Sequence, residues 1–265
     1  MPNGSTDEPL DLARRTPGPL MVCPLNHPDW RRPPGHWRFC RARRRAARRA
    51  PPGPLRTSLE TPLPRAGQAV AASRFLAVDL ETTGLDPEHD RILSIGWVAM
   101  DGARIDLATA DQRLVRAEGP VPEASAVIHR ITDQRAAEGV PLDAALDALF
   151  EALAGRVMVA HHAALEIGFL EQACQRLYGV RPPLAIVDTL RLAETALRRA
   201  GQPIPAHGLR LHTLRARYNL PAYRAHDALF DAIAAGELFA ALLSRQSPDG
   251  KLPLGRVLFR PAWLW

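Results

Sequence analysis

Apolar residues along this chain keep two periods, and where one gives way to the other the expected element changes type. Short apolar runs closed by turn residues, such as FLAV ahead of Asp79 and VMVA ahead of His161, read as buried strands, and the full set falls near 74–80, 92–100, 111–117, 157–161 and 185–189. Stripes at helical spacing predict helices near 141–154, 163–178, 190–200, 209–217 and 226–244. In the first of these, Pro141 and Gly155 mark the ends, and Leu142, Ala145, Leu146, Leu149 and Leu153 form the core-facing stripe. In the last, Leu229, Phe230, Ile233, Leu238 and Leu242 play that part. Three adjacent strands followed by alternating strands and helices predict an α/β domain: a mixed five-stranded sheet with helices on both faces.

Residues 1–73 break the pattern. They are dense in Pro, Arg and Gly without a sustained apolar period, which predicts a disordered basic N-terminal extension. Residues 74–245 are then the folded domain and 246–265 a short C-terminal tail, whose Phe259, Trp263 and Trp265 are expected to pack back on it. Charge divides at the same boundary: residues 1–73 carry a net +8 and residues 74–265 a net −2, so the overall +6 belongs to the extension. Its run RFCRARRRAARRA, Arg38 to Ala50, suits a phosphate backbone, a helix on a partner, or a solvated leader. Cys23, His27, His36 and Cys40 are zinc-ligand types, but their order and spacing match no zinc module and no zinc is expected. Three cysteines make no disulfide framework, which points to a reducing cytoplasm. No apolar run is long enough for a membrane span, and neither PLMVC nor Arg14-Arg15 has the apolar stretch an export signal needs.

The chemistry concentrates in FLAVDLETTGL. Asp79 and Glu81 are two apart at the end of a strand, so both carboxylates point to one face, and Thr82, Thr83 and Gly84 supply the following turn. Such a pair fits half of a hard-cation site; taken alone it fits equally a turn cap beside a solvated acid. Downstream, HDALFDA sets His226 just before a helix and Asp231 in its first turns, while Glu166 lies in the first turns of the helix after strand 157–161. Asp227 shares the helical face of Asp231 but suits an N-cap better than a ligand; at most one of His161 and His162, adjacent at a strand end, can point inward, and His207 and His212 are expected to be solvated or capping.

In order and spacing, FLAVDLETTGL, HHAALEIGFL and HDALFDA resemble the three motifs of the DEDDh group, the DnaQ-like 3′-to-5′ exonucleases that include the proofreading epsilon subunit of bacterial DNA polymerase III. The resemblance covers about residues 74–245, and SAVIHRIT and IVDTLRLA extend it. It implies an RNase H-like fold and a metal-dependent exonuclease acting on 3′ ends of single-stranded DNA, releasing nucleoside 5′-monophosphates in proofreading or repair. It further implies that Asp79, Glu81, Glu166 and Asp231 hold two divalent cations, Mg2+ or Mn2+, with His226 as general base, an imidazole being able to take a proton at neutral pH. By the same resemblance Thr82, Thr83, Leu85, His129 and Ile131 border the terminal nucleotide, and a DNA polymerase or repair factor is the expected partner. The chain departs from the family at Glu166, where Asp is usual, and at His161-His162, where His-Asn is usual. The short tail after the last helix speaks against a replicative polymerase assignment. RNA trimming, or a nucleic-acid-binding subunit silenced by the longer Glu166, are the alternatives.

Overall fold

The computed structural model describes residues 36–117 and 119–259. Five strands form one sheet in the order β3-β2-β1-β4-β5: β1 Arg74–Thr82, β2 Ile92–Asp101, β3 Arg104–Leu114, β4 Val157–Ala160 and β5 Ile186–Asp188. The first three strands are antiparallel neighbours, and β4 and β5 add in parallel on the far side of β1. The helices are α1 His36–Arg49, α2 Pro54–Glu60, α3 Glu123–His129, α4 Asp133–Ala137, α5 Leu142–Leu153, α6 Ala164–Tyr178, α7 Thr189–Arg199, α8 Leu211–Arg217 and α9 Ala228–Gln246. The mixed five-stranded sheet expected from the apolar pattern is therefore present, with β3 starting earlier than its apolar residues suggested.

Alternation along β1 sorts the core into two layers. Leu76, Val78 and Leu80 face α5 and α6, packing with Leu146, Leu149, Phe150, Ile167 and Leu170. Phe75 and Ala77 point the other way, toward α9, where Phe75 meets Phe239 edge to face at a centroid distance of 5.1 Å. Asp79 and Glu81 continue this second face beyond the apolar stretch. Among the described residues, no helix is long and apolar enough to cross a membrane.

Two boundaries and one side chain differ from expectation. Residues 36–73 are not a disordered extension: α1 and α2 cover the α5 side of the core, burying Ala46, Ala47, Ala50, Leu55 and Leu59, and a short 3-10 turn at Val70–Ala72 leads into β1. Their apolar face is built largely from alanine, and buried Arg43 sits in its middle, giving its guanidinium to the carbonyls of Ser58, Leu59 and Thr61 at the end of α2. The tail joins the domain up to Phe259, which packs back on the core as expected: Leu254 and Val257 are buried, Leu254 N–H donates to Gln68, and Phe259 N–H donates to Ile186. Phe230, assigned to the apolar stripe of the last helix, is exposed; the helix instead buries Ala228, Ala232, Ala235, Leu238, Phe239 and Leu242. Cys23, His27, Trp263 and Trp265 lie outside the described residues.

Candidate active site

The site forms where three chain segments end together. β1 brings Asp79 and Glu81 to the mouth of the sheet, α6 carries Glu166 in its first turn, and the start of α9 carries Asp231. Gly96 of β2 makes the last approach possible. It pairs with Asp79 on one side and Gln112 on the other, and a Cβ there would overlap the Ala228 carbonyl carbon and the Leu229 nitrogen. The bare backbone at Gly96 lets α9 begin directly on the sheet, beside the acids.

Just before α9, Asp227 is the N-cap, accepting from Leu229 N–H at 3.1 Å and Phe230 N–H at 3.3 Å. His226 has a left-handed backbone, φ 66°, and its N–H donates to Asp231 Oδ2 at 2.7 Å. That turn swings the His226 ring back over the acids: one ligand atom each from Glu81, His226 and Asp231 lie within 4.8 Å of one another. Behind the turn, buried Arg215 donates to the carbonyls of Ala234 and Pro221 and to Glu237, tying the segment before His226 to α9.

Electrostatically, the site is a cluster of acids that raise one another's pKa. Burial, and then the charges of Glu166, Asp231, Glu81 and Asp227, hold Asp79 well above the usual carboxylate range. Burial, then Asp231 and Asp227, push Glu81 up to about 8. Asp231 is raised by burial, partly offset by the His226 N–H bond. Glu166 is 3% exposed and raised by burial and by Asp188, and its Oε2 has no hydrogen-bond partner among the described residues. Buried carboxylates of this kind need a cation or a proton, and oxygen-rich donor sets suit hard divalent ions. These residues therefore fit the divalent cations that the sequence implies.

Beside the acids, a recess is lined by Glu81, Gln112, Leu114, His129, Ile131, Arg135, His226 and Asp227. His129, 6% exposed, accepts from Ile131 N–H at Nδ1, so its ring proton resides on Nε2; that N–H has no partner among the described residues. Of the residues expected around a terminal nucleotide, His129 and Ile131 line this recess, while Leu85 stands 73% exposed on the turn after β1. The hydroxyl of Thr82 bonds the Gly84 carbonyl. The hydroxyl of Thr83 is engaged within the turn, donating to Asp90 and accepting from Arg91 N–H.

Gln112, Arg135 and Asp188 were not anticipated. Gln112 becomes visible only once Gly96 is known to pair with it, and Arg135 once Thr132 caps α4. Asp188 ends a predicted strand in IVDTL; its Oδ1 caps α7 through Leu190 N–H and accepts from His162 N–H, anchoring the turn that starts α6. It stands near enough to Glu166 to raise it. His161 is structural, its Nε2 donating to the Leu209 carbonyl and its Nδ1 meeting the Thr189 hydroxyl; burial lowers it to about 4.

Comparison with known proteins agrees with this architecture. The family model described as Exonuclease (RNase_T) matches residues 76–239. The DNA polymerase III subunit epsilon-like protein of Rhodobacter capsulatus is 32% identical over 186 residues, 69% of this chain and 26% of that protein. The DNA polymerase III subunit epsilon of Treponema pallidum is 29% identical over 178 residues, 65% of this chain and 78% of that protein. The chain thus spans about a quarter of the length of the first curated relatives it matches, 26% and 27%. Among solved structures, the zinc-bound form of the E. coli ExoI–ssDNA complex superposes with a TM-score of 0.55 at 22% identity, covering 67% of this chain and 42% of that one. Exonuclease X in complex with 5′ overhanging duplex DNA gives 0.51 at 21% identity, covering 69% and 98%. With its RNase H-like sheet, its ordered acidic motifs and a family match across most of the folded domain, this chain belongs to the exonuclease family, in the DnaQ-like group.

Proposed function

We propose that the chain is a metal-dependent 3′-to-5′ exonuclease that hydrolyses the last phosphodiester of single-stranded DNA and releases nucleoside 5′-monophosphates. The observation that carries this reading is the cluster of Asp79, Glu81, Glu166 and Asp231, whose raised carboxyls and unpartnered Glu166 oxygen call for positive charge. These four residues would hold two divalent cations, Mg2+ or Mn2+, which when bound neutralise phosphate charge and acidify water.

The other steps fall to the chain's own groups. His226, exposed and beside Glu81 and Asp231, takes the proton of the attacking water on its imidazole. The unpartnered His129 Nε2–H donates to an oxygen of the terminal nucleotide, Ile131 supplies an apolar wall, and Arg135 offers a cation to phosphate at the rim. Leu85 and the Thr82 backbone border the same nucleotide from the β1 turn. Relatives named DNA polymerase III subunit epsilon point to a polymerase or repair partner, and to the cytoplasm as the place of action.

One observation favours a second reading, a binding subunit with a silenced site. Glu166, like Asp79, is not among the three residues whose ligand atoms converge within 4.8 Å, and of the four acids it alone departs from the residue usual in the family. Single-turnover assays of the wild type and His226→Ala on single-stranded DNA with Mn2+ separate the two, the silenced reading expecting no turnover in either. The catalytic reading expects at least a hundredfold loss in turnover with DNA affinity kept, since general bases contribute about 10²–10⁴-fold; equal turnover in both proteins would remove His226 from the mechanism.

A further inference from the structure

Away from the cleft, α1 presents two faces of the same period. Arg43, Ala46, Ala47 and Ala50 are buried at i, i+3, i+4 and i+7; Arg41, Arg44, Arg45 and Arg48 are exposed at the same spacing on the other side. The helix holds no acid, and none of the four exposed arginines pairs with a described carboxylate. Only Arg48 lies in the last turn, where a cation complements the helix dipole. The rest stand three and four residues apart, where like charges destabilise a helix, so intrahelical stability does not account for the stripe.

Their location is fixed by the fold. The Arg43 guanidinium on the α2 carbonyls and the Arg56 guanidinium on the Ala50 carbonyl lock α1 to α2, and α2 packs on α5. Arg49 reaches the Gly179 carbonyl, at the C-terminal end of α6. Glu166 is in the first turn of that helix, so the length of α6, about 20 Å at 1.5 Å per residue, separates the stripe from the acids. At the roughly 3.4 Å per nucleotide of a helically stacked strand this distance takes about six nucleotides, and fewer where the strand is extended.

We propose that Arg41, Arg44, Arg45 and Arg48 form a second nucleic-acid site, which grips the phosphate backbone of the substrate strand some six nucleotides from the cleft. Guanidinium groups without carboxylate partners among the described residues suit phosphate oxygens, and residues 74–265, at net −2, provide no such overall attraction. The choice of a nucleic acid rather than another polyanion rests on the exonuclease reading.

The test reads binding with EDTA present, so its outcome does not depend on whether the cleft hydrolyses DNA. Fluorescence anisotropy of the full chain with labelled single-stranded DNA of about 24 nucleotides, and of about 4 nucleotides, is followed across salt concentration. Replacing all four arginines with Gln is expected to weaken binding of the longer strand at least tenfold at low salt and to reduce the slope of log affinity against log salt by about 3. Arg41→Gln with Arg45→Gln alone reduces the slope about half as much, and Lys at all four positions keeps it. Unchanged affinity and slope in the Gln variants, or an equal loss for the short oligonucleotide, would overturn the proposal.

Discussion

At the scale of single residues, Glu81 shows how the site stores its need for a cation. The folded chain raises this carboxyl from about 4.5 to about 8, first by burial and then through Asp231 and Asp227. Between those values the metal-free folded protein keeps a proton that the unfolded chain has lost, so its stability is fullest below the lower value and falls as pH rises toward the upper one. Urea unfolding in EDTA is therefore expected to lose up to about 1.4 kcal/mol per pH unit from this group between roughly pH 5 and 8, and Glu81→Gln to flatten the profile. Mn2+ affinity should climb over the same window, because a bound cation requires the carboxylate. A metal-free stability that rises with pH across this range would count against the acidic cluster as drawn.

At the scale of elements, the start of α9 matters most, because it carries Asp231, Asp227 and the turn holding His226. Gly96 admits it, and Arg215 braces the loop behind it. Gly96→Ala puts a methyl group into the backbone of Ala228 and Leu229, which must shift. The expected cost is about 1–3 kcal/mol of stability, as for overpacking elsewhere, and on the order of a hundredfold in turnover from misplacement of about 1 Å. Wild-type turnover in that variant, measured beside its urea midpoint, would show that α9 need not sit so close. Strand-borne parts of this arrangement were readable in advance, since Asp79 and Glu81 two apart on a strand must share a face. Gln112 was not, because its place depends on register across β2 and β3 rather than on neighbouring residues.

At the scale of the whole molecule, the sheet and its longer helices were legible from periodicity, and the acids of the three motifs from their resemblance to a family, whereas the N-terminal helices were not. Alanine buries too little apolar surface to mark a stripe, and an Arg43 that caps another helix looks in sequence like one more exposed arginine. Short α3 and α4 escaped for a related reason: seven and five residues are too few to display a period. What the assembled molecule offers is an acidic cleft at one end of α6 and an arginine stripe at the other. The central claim is that the cleft trims 3′ ends with Asp79, Glu81, Glu166 and Asp231 holding the cations. Its most direct test is degradation of a 5′-labelled single-stranded DNA in Mg2+, Mn2+ or EDTA by the wild type, Asp79→Ala and Glu166→Asp. The account predicts a ladder shortening from the 3′ end, abolished by EDTA and by Asp79→Ala, with Glu166→Asp changing only its rate. No ladder from the wild type, with one appearing when Asp replaces Glu166, would contradict it and make the native chain a silenced binding subunit.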